Sequence, residues 1–215
     1  MGTSELIEAS TTNAKDTSPG LWNDIISLDQ VGDFEKGLKY ATIRPPHDLY
    51  NWDANLIVDY IEANHHQIAK DHAVDILSLG QTLVYEYGSE YPETRELTVE
   101  LFLFLHDYLN CIRKEEEILF PKIKYLFHNK MDSRSVDSSS LALISKYITM
   151  IREEQQRIYD KLRSIHLITN DYSLPENACF PYRHLFEKMK EFEANFLFHV
   201  YLEGRSLFPK VLSKY

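Results

Sequence analysis

The chain has 215 residues, 44% of them apolar and 13% aromatic, with only 7 Gly and 8 Pro, which suits one packed core and excludes collagen-like and wholly disordered classes. Lys and Arg number 23 against 33 Asp and Glu; a surface of net charge −10 repels phosphate backbones and anionic lipid, so neither nucleic acid nor membrane is an expected partner. Two cysteines, Cys111 and Cys179, do not make a disulfide framework, no run of apolar residues is long enough to span a bilayer, and Met1–Gly20 lacks a signal-peptide core, so the expected location is cytoplasmic.

Residues 1–20 are rich in Ser, Thr, Asn and Asp and read as a tail, and Leu21–Leu28 reads as a short docking helix before the Pro45-Pro46 stop. Residues 1–50 are therefore expected to be an N-terminal extension and residues 51–215 the folded domain. From Trp52 onward, long amphipathic stretches are broken only at Gly88, at Met131–Ser140 and at Asn170–Pro181. The breaks predict four helices, over Trp52–Tyr87, Pro92–Phe127, Ser139–Ile168 and Cys179–Leu212. Gly88 is expected in the left-handed position past the first helix. The run Leu101–Leu105 is apolar all round and is expected to be fully buried. Helices of about 30 residues are rods of ~45 Å, and short links between them favour an all-α, antiparallel four-helix bundle.

An internal repeat carries the first chemical signal. Glu115-Glu-Glu-Ile-Leu-Phe-Pro-Lys122 on the second helix and Glu203-Gly-Arg-Ser-Leu-Phe-Pro-Lys210 on the fourth both read Glu-x-x-x-Leu-Phe-Pro-Lys. One turn before each Glu stands Cys111 in the first copy and His199 in the second. His199 and Glu203, at i and i+4, project from one face, and Phe192, Phe196 and Leu207 make that the packed face. Such a pair on an arbitrary helix is more often a solvated couple. Placed inward, the carboxylate needs a metal, a cationic partner or a proton, because a lone buried charge is costly. Pro121 and Pro209 read as kinks or helix ends.

The stretches Asp59–His66, Lys114–Lys124, Thr169–Cys179 and His199–Glu203 with its following Leu-Phe-Pro, in this order, resemble the repair-of-iron-centres family, hemerythrin-like di-iron proteins associated with mending iron–sulfur clusters after nitrosative or oxidative damage. The resemblance covers about three quarters of the chain and implies a hemerythrin-like bundle. It also implies an iron site of five His and two bridging Glu. Carried over position by position, it places His66, Glu115, His199 and Glu203 in the metal site. Three positions depart from the pattern: Tyr87, Cys111 and Gln155 stand where the family has His. The family spacing selects His66, whereas an internal comparison of Ile61–Ile68 with Ile151–Ile158 selects His65. No cysteine precedes Cys111, so the family's small cysteine-bearing N-terminal domain is not expected within residues 1–50.

With three of seven ligands replaced, the resemblance implies iron bound as one ion or a weak di-iron pair, with zinc as an alternative metal, in a protein of the stress-response and cluster-repair type. Two imidazoles and a carboxylate are the donor set of many mononuclear iron sites. Tyr87 and Cys111 could ligate as phenolate and thiolate, or all three replacements could fill space and hydrogen-bond the Glu pair. The second expectation is an empty, metal-free bundle that serves as a regulatory or interaction module for protein clients. Relatives of this kind pair as homodimers. No catalytic triad, phosphate loop or nucleotide motif is found, so no catalytic residue is assigned.

Overall fold

A computed structural model describes residues 51–128 and 138–213. The expected tail and docking helix within residues 1–50 lie outside the described residues. Among those described, the secondary structure is entirely helical and is arranged in four rods. The first joins α1 (Ala54–Ile61) through a π-helical turn, Glu62–His66, to α2 (Gln67–Tyr87). The second joins α3 (Thr94–Lys114) through a π turn, Glu115–Leu119, to α4 (Phe120–His128). The third is α5 (Ser138–Thr169). The fourth joins α6 (Phe180–Leu202) through a π turn, Glu203–Leu207, to α7 (Phe208–Leu212).

Local chemistry sets the ends. Asp53 caps α1 by accepting the Leu56 N–H at 2.9 Å. Gly88, expected in the left-handed region, instead has φ −63°, and its hydrogen side chain is required by space: a Cβ would collide with the Val84 carbonyl oxygen. The third rod ends instead in three successive left-handed residues without glycine, Asn170 (φ 47°), Asp171 (φ 56°) and Tyr172 (φ 57°). Such residues cost of order 1–2 kcal/mol each. They are held by the Thr169 hydroxyl, which accepts the Tyr172 N–H at 3.1 Å, and by the Tyr172 hydroxyl, which donates to Glu193 at 3.1 Å.

The cross-rod bonds fix the sense of each pair. Glu62 meets Lys124 and Gly80 meets Thr98, so the first two rods are antiparallel. Lys114 meets Glu154 and Asp107 meets Lys161, so the second and third are too. Gln155 meets Glu203 and His166 meets Glu193, so the third and fourth are too, and α1 packs against the Glu203–Leu207 turn while α2 packs against α6, which sets the fourth antiparallel to the first. The core is aliphatic along the third rod and aromatic where the second faces the fourth: Tyr108 packs edge-on against Phe192 and Phe196, as Phe104 does. The expectation that Leu101–Leu105 is buried throughout fails at Phe102 and Leu103, which are 53% and 40% exposed. A rod with neighbours on one side buries positions 101, 104 and 105, and the 100° advance per residue turns 102 and 103 outward.

Candidate metal centre

All three π turns carry residues singled out from the sequence. Glu115 and Glu203 open theirs, and His66 closes the first. In each, the hydrogen bond runs from i+5 to i: Gln67 N–H to the Glu62 carbonyl, Phe120 N–H to Glu115, Phe208 N–H to Glu203. Pro121 and Pro209 stand two residues past the last residue of two of these turns, each after a phenylalanine. A proline ring crowds the carbonyl four residues back and supplies no N–H, and widening that turn relieves the conflict without ending the helix. The prolines are thus neither stops nor free kinks, and each leaves its Glu pointing into the bundle.

His66, Glu115, His199 and Glu203 are all fully buried. His66 Nε2, His199 Nε2 and Glu115 Oε2 form a triangle with edges of 3.1, 3.3 and 3.5 Å. Glu203 Oε2 lies 3.5 Å from His199 Nε2. A tetrahedral ion with bonds of about 2.0–2.1 Å separates its donors by roughly 3.3 Å, so these three atoms already have the spacing of donors to one cation. Glu203 Oε1 is buried with no hydrogen-bond partner. The residues present therefore fit a single divalent cation.

The outer nitrogens of both imidazoles are held. His66 Nδ1 donates to Glu116 Oε1 at 3.0 Å, and Lys70 braces the same carboxylate at 2.7 Å. His199 Nδ1 meets the Tyr108 hydroxyl at 2.9 Å. Such partners orient a ligating ring and leave its inner nitrogen facing the centre. Without a cation, a proton substitutes. Burial lowers the His66 pKa, but hydrogen bonds to Glu115 and Glu116 outweigh it and lift it to about 9. Burial likewise pushes Glu115 up, and His199 and His66 more than reverse this. Glu203 rises, through burial and the neighbouring Glu115 charge.

The three replaced positions part company. Cys111 donates its thiol proton to Glu115 Oε1 at 3.4 Å, and burial, then Glu115, push its pKa upward, which keeps it a neutral thiol. Gln155 donates one amide to Glu203 Oε2 and, at 3.4 Å, to Glu115 Oε1. Tyr87 is not at the site. The first rod runs unbroken to it, 21 residues beyond His66, about 30 Å along the axis.

His65 is buried but turned aside. Asn195 Nδ2 donates to its carbonyl at 3.0 Å while Asn195 Oδ1 accepts from His65 Nδ1 at 2.8 Å. Burial and the adjacent His199 lower its pKa to about 3, so it stays neutral. Glu116 and Tyr108, which hold the two imidazoles of the centre, escaped the sequence reading, as did Asn195, which holds His65. Tyr108 stands three residues before Cys111 and seven before Glu115, a helical spacing that could have found it. Asn195 stands one turn before His199.

No family model matches the chain. Among curated proteins it is 26% identical, over 171 residues covering 78% of this chain and 71% of the relative, to the iron-sulfur cluster repair protein YtfE of Yersinia pseudotuberculosis serotype IB (strain PB1/+). The match to the protein of the same name from Yersinia pestis (strain Pestoides F) has the same identity and coverage.

Proposed function

We propose that this chain, a divergent relative of the iron–sulfur cluster repair proteins, is a hemerythrin-like bundle that holds a single non-haem iron ion and serves iron handling of the kind its relatives are named for. The observation that carries the proposal is the triangle of His66 Nε2, His199 Nε2 and Glu115 Oε2 at 3.1–3.5 Å in a fully buried setting. These three would hold the ion, with Glu203 as a second carboxylate. Bound there, iron supplies one-electron chemistry and exchangeable coordination positions.

The chain's own residues divide the centre in two. On one side, His66 and His199 present nitrogen lone pairs, their far nitrogens engaged by Glu116 and Tyr108. On the other, Cys111 and Gln155 present protons to the two carboxylates. An N–H or S–H aimed at a carboxylate occupies the oxygen that a second ion would need. The eroded half is therefore a hydrogen-bonded plug, and one ion per chain is the expected capacity. Glu203, whose proton affinity is raised by burial, is the group placed to take up or release a proton as charge at the centre changes.

Iron and zinc content of protein purified without chelator, after growth with either metal, tests this. About one ion per chain, lost in Glu115→Gln, supports the proposal; no ion under any loading condition removes it. The second reading, a metal-free module, draws on the same plug: with His66 protonated against Glu115, the buried charges are already balanced without a cation.

A further inference from the structure

Between the second and third rods lies a cleft of about 420 Å³ that the metal reading does not use. Two ion pairs across the rods flank it, Lys161 to Asp107 at 2.7 Å and Lys114 to Glu154 at 2.5 Å. These stand seven residues apart on each helix, about 10 Å. Each pair is internally neutral. Between them, Arg113 and Arg157 line the cleft. Arg113 donates only to the Asn110 side-chain oxygen, at 3.3 Å, and neither guanidinium has a carboxylate partner among the described residues. In a chain of net charge −10, two guanidinium groups without a carboxylate partner line one recess of a size that takes a small molecule.

We propose that this cleft binds a small organic dianion, its paired oxygens taken by Arg113 and Arg157. Guanidinium presents a planar fork of N–H donors that matches the two oxygens of a carboxylate or phosphate. The distance between the flanking ion pairs limits the ligand to about 10 Å, the length of a short dicarboxylate or a sugar phosphate. Ile158, itself buried, gives the recess an apolar floor against which the ligand's carbon backbone rests. The two carboxylates of the lining, Asp107 and Glu154, are each paired with a lysine, which offsets their repulsion of an anion and leaves the attraction to the central arginines.

Calorimetric titration of the full chain, stripped with EDTA and held at physiological salt, tests the proposal with succinate, glucose 6-phosphate and inorganic phosphate. Saturable one-to-one binding of succinate or the sugar phosphate is expected. It should weaken at least tenfold in Arg113→Gln and in Arg157→Gln, and be lost in the double variant. Arg163→Gln, which removes an exposed charge from the same helix outside the cleft, should leave binding unchanged. Heats that never saturate, equal weakening by Arg163→Gln, or a double variant that binds as the parent does would each overturn the proposal. Binding of inorganic phosphate alone would overturn the organic-ligand assignment. Because the protein carries no metal in this experiment, its result is independent of the outcome at the buried centre.

Discussion

At the scale of single residues, the centre is governed by which way its protons point. Tyr108 is the clearest case. When His199 offers Nε2 to a cation, its Nδ1 must carry the hydrogen, and the Tyr108 oxygen accepts it across 2.9 Å. Removing that acceptor leaves the ring unoriented and its buried N–H unpaired. Tyr108→Phe should therefore bind metal about 10–100-fold more weakly, as measured by competition with a chromogenic chelator; an unchanged affinity would show that the phenol only fills space. Gln155 acts in the opposite sense, donating to both carboxylates. Gln155→Leu should destabilise the metal-free protein by about 2 kcal/mol or more in urea denaturation, since hydrogen bonds to charged groups are worth ~1.5–3 kcal/mol.

The residues legible in the sequence were those with a spacing to betray them. His199 and Glu203 are one turn apart, and Glu115 is the internal copy of Glu203. Tyr108 and Asn195 were hidden because a tyrosine or an asparagine in an apolar helical stripe is indistinguishable from core filling until its partner, on another rod, is known. Tyr87 differs: its position came from the family pattern alone, whereas the unbroken helix expected over Trp52–Tyr87 already sets it about 30 Å from His66 along the axis.

At the scale of elements, helix boundaries were readable to within about two residues, because glycine, proline and polar runs punctuate them. The π turns were not, since a widened turn has no composition of its own and only the proline after it hints at the strain being relieved. Glycines separate two situations. A Cβ on Gly204, inside the last π turn, would meet nothing within 4 Å, so Gly204→Ala should stabilise by about 0.5–1 kcal/mol through the unfolded chain's lost freedom. A Cβ on Gly80 would press Thr98 Oγ1 and Cγ2 at 3.1 and 3.2 Å where the first two rods cross, so Gly80→Ala should destabilise by about 1 kcal/mol. Both are read from chemical denaturation midpoints.

The link between the third and fourth rods carries a histidine placed to make its stability depend on pH. His166 meets Glu193 through Nε2 and Asp171 through Nδ1, each at 3.0 Å, and can donate to both only as imidazolium. Its pKa is raised, chiefly by Glu193 and against the effect of burial; the neighbouring Tyr172 hydroxyl shares Glu193, and Lys190 lies 6.0 Å over the Tyr172 ring. A group whose folded pKa is raised stabilises fully below its ordinary value of 6.5 and loses that contribution as pH climbs through the folded value. The stability gap between the parent and His166→Gln should thus be largest below pH 6.5 and shrink above it.

At the scale of the whole molecule, the four rods bring lone pairs and acids into a space fully shielded from water, and a ligand held there is linked to folding. Metal at about 100 times its dissociation constant should add ~2.7 kcal/mol to the stability of the bundle. For a domain of this size that is a melting-temperature rise of roughly 5–10 °C, abolished by EDTA. Among the described residues, no helix is long and apolar enough to cross a membrane.

The two widened turns that carry the acids also act as rulers. In each, the glutamate lies five residues ahead of the phenylalanine whose amide closes it. One residue gained or lost in between would swing the carboxylate by about 100° around its helix and off the bundle axis. The letters between the two ends differ from one window to the other, Glu-Glu-Ile-Leu in the first and Gly-Arg-Ser-Leu in the second, and the count does not. In descendants of this chain, insertions and deletions should gather in the links between rods and spare both windows.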